Sequence, residues 1–150
     1  MKKKIIAFTF AWLISLLFCV NASAQVEVSA QSAVLMCANN GEVLFNKNAN
    51  KQLSMASTTK IMTSLLALEA AMPETEITVT HEMVAVEGTS MGLVEGDSVS
   101  LRELVYGMLL QSGNDAANTV AYVVGGSPEK FAVMMNDRAA QIGMVNTNFV

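Results

Sequence analysis

The stretch "ASTTKIMTSLLALEA", residues 56–70, decides how the chain is read. From Ser57 to about Ala71 the apolar residues Ile61, Leu65, Leu68 and Met72 recur at helical spacing. Met62, Leu66 and Ala70 line a neighbouring face, and Pro73 follows the end. A helix apolar over most of its circumference is expected to be buried. At its first turn stand Ser57 and Lys60, three residues apart and so one above the other, where hydroxyl and amine can come within hydrogen-bond reach. Two readings stay open: a helix cap beside a surface charge, or a nucleophile beside its base. Burial against "MTSLLALEAAM" and the positive end of a helix dipole both favour the neutral amine, and a neutral amine next to a hydroxyl is a general base next to a nucleophile.

The spacing alone does not choose, because Ser127-Pro128-Glu129-Lys130 repeats it. That second match reads as an ordinary helix start, with Ser127 as cap and Pro128 at the first helical position. A further polar group lies 55 residues after Ser57, in "LLQSGNDAAN". Ser112 and Asn114 flank Gly113 between two helical runs, where the glycine lets the backbone turn so that both side chains point the same way. The bland reading is a helix stop followed by an Asn cap.

Around these stretches the organisation is that of one domain or part of one. Residues 32–47 form two apolar runs around Asn39-Asn40-Gly41, a hairpin signal. "ITVT" (77–80) is a short extended piece, with Thr80 able to cap a turn through His81 and Glu82, and residues 87–100 are loop-like. Ser100 and Glu103 form a capping box for a helix whose Leu101, Leu104, Val105, Met108 and Leu109 share a side. Asn114 or Asp115 can cap the next helix up to Val124, which Gly125-Gly126 stops. Another helix begins at Ser127 and ends near Gly143. With so few visible strands, either the domain is small and mostly helical or strands lie beyond Val150.

The first 24 residues are expected to be a signal peptide: Lys2, Lys3 and Lys4, an apolar run from Ile5 to Val20, then the small residues Ala22 and Ala24. An uncleaved membrane anchor is the alternative. Cleavage removes three lysines and leaves six basic against thirteen acidic residues, a net charge of about −7 that makes nucleic acid an unsuitable partner. It also removes Cys19, so Cys37 has no internal disulfide partner and reads as a structural apolar thiol. One histidine and one remaining cysteine make no zinc set, and His81 in a polar stretch reads as a surface residue rather than a triad member. No metal or cofactor is expected.

"ASTTKIMT" followed by "SGNDAAN" resembles the serine D-alanyl-D-alanine carboxypeptidases, the low-molecular-mass penicillin-binding proteins related to the serine β-lactamases. The likeness extends through "AVLMCANNGEVLFNKNANKQLSMASTTKIMT", "EGTSMGLVEGDSVSLRELVYGMLLQSGNDAAN" and "MNDRAAQIGMVNTNF", nearly all of residues 30–150. It implies an α/β (α+β) fold of the β-lactamase/DD-peptidase type, with residues 25–150 forming part of the catalytic domain. It implies Ser57 as nucleophile on a peptidoglycan stem peptide, Lys60 as general base, Ser112 as proton relay and Asn114 as a holder of Lys60 and of the substrate amide. Acylation by β-lactams, a role in wall synthesis and cell shape, and a site of action in the periplasm or on the outer face of the cytoplasmic membrane follow from the same likeness.

The family's third motif, Lys-Thr-Gly, occurs nowhere: Lys47, Lys51, Lys60 and Lys130 are followed by Asn, Gln, Ile and Phe. The expectation is therefore a truncated chain, lacking strands of the sheet and the C-terminal amphipathic anchor through which relatives associate with the membrane. A serine β-lactamase and a non-catalytic cell-wall module are the rival readings.

Overall fold

The computed structural model describes residues 27–70 and 74–150; the expected secretory segment, Met72 and Pro73 lie outside them. The chain divides into two units, Met1–Lys51 and Gln52–Val150.

In the first unit, β1 (Ala33–Met36) pairs antiparallel with β2 (Val43–Lys47), Ala33 opposite Lys47 and Leu35 opposite Phe45. The expected turn closes them. Gly41 takes φ +73°, its N–H donates to the Cys37 carbonyl at 2.9 Å, and Cys37 N–H donates to the Glu42 carbonyl at 2.8 Å. Asn40 Oδ1 accepts from Glu42 N–H at 3.0 Å, the side-chain turn that makes Asn a hairpin residue. Cys37 is a free, half-buried thiol.

The second unit opens with a 3₁₀ turn, Ala56–Thr59, that runs into α1 (Lys60–Glu69). The helical spacing predicts a regular helix from Ser57; instead Ser57 sits in the tighter turn, and Lys60 is the first α-helical residue. β3 (Glu76–Thr78) pairs antiparallel with β4 (Ser98–Ser100), Ile77 opposite Val99. β4 was not anticipated, because three residues of Ser-Val-Ser carry too little alternation to stand out of a glycine-rich stretch. Between them lies α2 (His81–Val84), whose last carbonyls at Glu82 and Met83 accept from Asn118 Nδ2.

α3 (Leu101–Gln111) begins at the expected capping box: Ser100 Oγ accepts from Glu103 N–H at 3.3 Å, and Glu103 Oε2 accepts from Ser100 N–H at 2.8 Å. α4 (Asn114–Gly125) follows after Ser112 and Gly113 and is stopped by Gly126 at φ +78°. α5 (Pro128–Gln141) starts as expected, with Ser127 Oγ accepting from Lys130 N–H at 3.3 Å. Past its end, Asn136 exchanges two hydrogen bonds with the Phe149 backbone and ties down the following segment.

The core lies between α1, α3, α4 and α5. Met62 and Leu66 of α1 meet Leu104, Val105 and Met108 of α3, Val120 of α4, and Phe131 and Met135 of α5. Leu104 is fully buried, and removing such a side chain from water contributes about 1.5–3 kcal/mol. Ala67, Ala116 and Ala139 let the helices approach closely. Burial is one-sided: Ile61 and Leu68 of α1 are exposed, against the expectation of a helix covered all round, and so is Leu109 of α3, against its expected place on the core side.

Candidate active site

Ser57, Lys60, Ser112 and Asn114 come together in the second unit, across the start of α1 and the α3–α4 junction. Lys60 faces inward from the first residue of α1 and is 8% exposed. Its Nζ donates to Asn114 Oδ1 at 2.7 Å and to Ser112 Oγ at 3.4 Å. Ser112 Oγ is 2.8 Å from Ser57 Oγ. Among the described residues no hydrogen bond links Lys60 directly to Ser57. The direct contact expected from their spacing is replaced by the continuous path Ser57–Ser112–Lys60.

The backbone aims these groups at some cost. Ser112 lies in the left-handed region at φ +56°, as does Ala56 at φ +46° immediately before Ser57. For non-glycine residues this costs on the order of 1–2 kcal/mol each. Gly113 does not supply the turn, as its φ is −59°. It is required for space: a Cβ there would stand 2.8 Å from Asp115 Oδ1 and 3.1 Å from Met91 N. Asn114 and Asp115 do not cap α4 either. They are its first two residues, and their side chains turn away to Lys60 and to the loop before β4.

That loop holds the residues sequence reasoning missed. Asn114 Nδ2 donates to the Glu87 carbonyl at 2.7 Å, which fixes the orientation that presents Oδ1 to Lys60. A Cβ on Gly88 would fall 2.5 Å from the same Nδ2, so only glycine lets the loop lie there. Thr89 Oγ1 donates to the Ser112 carbonyl at 2.6 Å, and the Thr89 carbonyl accepts Asn114 N–H at 2.7 Å. Asp115, 3% exposed, accepts from Ser90 Oγ and from the N–H groups of Met91, Gly92, Leu93 and Ala116. Burial by itself would push its carboxyl up; the hydrogen bonds from Ser90, Met91, Leu93 and Ala116 outweigh it and hold the group below its ordinary value. An Asp directly after "SGN" was the only sequence sign of this, and it reads equally well as a favourable charge in a first helical turn.

The remaining expectations are placed without joining the site. Ser127 and Lys130 form a helix start and nothing more. His81 is exposed, with Nδ1 3.9 Å from Glu95 Oε2, an acid partner the sequence did not suggest, and a pair this exposed contributes little.

A buried amine held by an amide oxygen and joined through one hydroxyl to a second is an arrangement for moving a proton off a nucleophilic serine. Residues 19–150 match the D-alanyl-D-alanine carboxypeptidase family. The chain is 35% identical over 132 residues to the D-alanyl-D-alanine carboxypeptidase DacF of Bacillus subtilis, covering 85% of this chain and 34% of that protein. Among solved structures it is similar to the D-alanyl-D-alanine carboxypeptidase DacD of Francisella tularensis, with TM-score 0.77, 35% identity and coverage of 85% of this chain and 32% of that one. The penicillin binding protein 6B of Escherichia coli aligns with TM-score 0.76 and 34% identity over 87% of this chain and 45% of that one. The chain thus spans about a third of the length of the curated relatives it matches. With the fold, the order of the motifs and these likenesses in agreement, the chain belongs to the D-alanyl-D-alanine carboxypeptidase family of serine peptidases.

Proposed function

We propose that the gene product removes the terminal D-alanine of peptidoglycan stem peptides through an acyl-enzyme on Ser57, and that β-lactams acylate the same oxygen. The observation that carries this is the Ser57–Ser112–Lys60 path, closed at its buried end by Asn114 Oδ1. Ser57 Oγ attacks the carbonyl carbon of the penultimate D-alanine. Its proton passes to Ser112 Oγ as the Ser112 proton passes to Lys60 Nζ. Collapse of the tetrahedral intermediate breaks the C–N bond, and the same path returns a proton to the leaving amine. Water then hydrolyses the ester and restores the Ser57 hydroxyl.

Asn114 is the holder of Lys60 and a contact for the substrate amide. This refines the roles implied by the family likeness: Lys60 remains the base, and Ser112 serves the attacking hydroxyl as well as the leaving amine. The secretory pattern of residues 1–24 supports a reaction on the outer side of the cytoplasmic membrane.

The test is labelled penicillin on the full-length gene product. A covalent adduct that releases slowly, together with D-alanine release from a peptide ending in D-Ala-D-Ala, is expected. Rapid release of the adduct with no action on the peptide would make the protein a β-lactamase, and no adduct on the folded protein would make it a non-catalytic wall module. Lys60→Ala should lower the acylation rate by about 10²–10⁴-fold.

A further inference from the structure

The loop between α2 and β4 contains no regular structure from Val86 to Asp97, yet it supplies three of the contacts that fix the proton path. On the helix side it is anchored by the buried Asp115. The carboxylate is buried without a cation: among the described residues its partners are the Ser90 hydroxyl and backbone N–H groups only. Oδ2 accepts from Ser90 Oγ at 2.6 Å, Leu93 N–H at 3.0 Å and Gly92 N–H at 3.1 Å; Oδ1 accepts from Ala116 N–H at 2.9 Å and Met91 N–H at 3.0 Å. An acceptor serving the helix start alone would take its donors from the helix's own first amides. Here all but one of the donors come from the loop, so the group serves the loop rather than the helix.

From this we infer that Asp115 is a positioning residue for acyl transfer: it gathers Ser90–Leu93 onto the start of α4, and the adjoining Thr89 thereby locks the Ser112–Asn114 turn. The link is short. Thr89 precedes the clamped segment by one residue and holds Ser112 by its hydroxyl and Asn114 by its carbonyl. Ser112, in the left-handed region, is a residue that relaxes when such restraint is removed. Gly113 fits the same account, because the space its Cβ would take is occupied by Asp115 Oδ1 and Met91 N. The inference rests on the acyl-transfer reading of the site.

The test compares wild type, Asp115→Asn and Thr89→Val in the full-length gene product, with circular dichroism confirming that each is folded. Asp115→Asn turns an NH₂ group toward N–H donors. Thr89→Val removes one link to Ser112 and leaves the carboxylate alone. Two quantities are read: hydrogen exchange of the Asn114 backbone amide, which does not touch Asp115, and the penicillin acylation rate constant, resolved from the dissociation constant of the non-covalent complex.

For Asp115→Asn the expected result is at least a ~10-fold rise in Asn114 exchange. Acylation should be about 100-fold slower with non-covalent binding within about threefold of wild type, the pattern of a misplaced reacting group. Thr89→Val should change the same two quantities in the same directions. A folded Asp115→Asn protein that acylates at the wild-type rate overturns the inference, whatever its exchange. So does loss of non-covalent binding in parallel with acylation, which a merely structural collapse would give. If the folded wild type takes up no penicillin, the acyl-transfer reading has failed instead. Asn114 exchange then decides the clamp by itself, an unchanged value in Asp115→Asn overturning it.

Discussion

At the scale of single residues, the site is built as much by what is omitted as by what is present. Gly113 has an ordinary φ, so Gly113→Ala meets no backbone penalty, only the oxygen of Asp115 and the amide of Met91. Overpacking of this kind costs about 1–3 kcal/mol. Gly96 is the converse: its φ is +93° and nothing lies within 4 Å of the missing Cβ. Gly96→Ala should cost about 1–2 kcal/mol through backbone strain and leave acylation unchanged, whereas Gly113→Ala should slow acylation as well. Urea titration and penicillin labelling of the two variants separate these effects.

Ser57, Lys60, Ser112 and Asn114 were legible because each belongs to a short polar motif beside an apolar helical run. Gly88, Thr89 and Asp115 were not, because they act through a loop with no period and through contacts between residues 22 to 27 positions apart.

At the scale of elements, caps and core follow local rules, and the exceptions are informative. The Ser127 start is the control for the Ser57 start, with the same spacing and a conventional cap. Ser127→Ala should cost about 1 kcal/mol in a urea titration and leave penicillin labelling at the wild-type level. Leu104, at the centre of α3 and fully buried, should cost about 2–5 kcal/mol on conversion to Ala. The hairpin, the capping box of α3 and the extents of α4 and α5 could be read from turn residues and periodicity.

Two features at this scale could not. Neither the 3₁₀ turn at 56–59 nor the positive φ of Ala56 is marked by any residue propensity. The exposure of Ile61 and Leu68 is a matter of which elements surround α1, and hydrophobic spacing reports only the helix itself.

At the scale of the whole molecule, the buried carboxylate couples the site to stability. The Asp115 carboxyl is held below its ordinary value, so the folded state binds that proton less readily than the unfolded chain. Its contribution is therefore fully present above the unfolded value of about 3.9 and is lost as pH falls below it toward the folded value. Glu103 and Glu129, exposed and held by Ser100 and Ser127, act in the same direction. Urea midpoints between about pH 5 and pH 2 should fall in the wild type and fall less in Asp115→Asn; an equally steep loss in the variant would mean that other groups carry the acid sensitivity.

The fold class and family were legible at this scale because two motifs, their order and a long surrounding likeness agreed, while the geometry linking the motifs needed the structure. The central claim is that Ser57 carries the acyl group, and peptide mapping by mass spectrometry after penicillin treatment of the full-length gene product tests it most directly. A single penicilloyl adduct on Ser57, absent in Ser57→Ala and retained in Ser127→Ala, is the predicted result; an adduct elsewhere, or none on the folded protein, would contradict it.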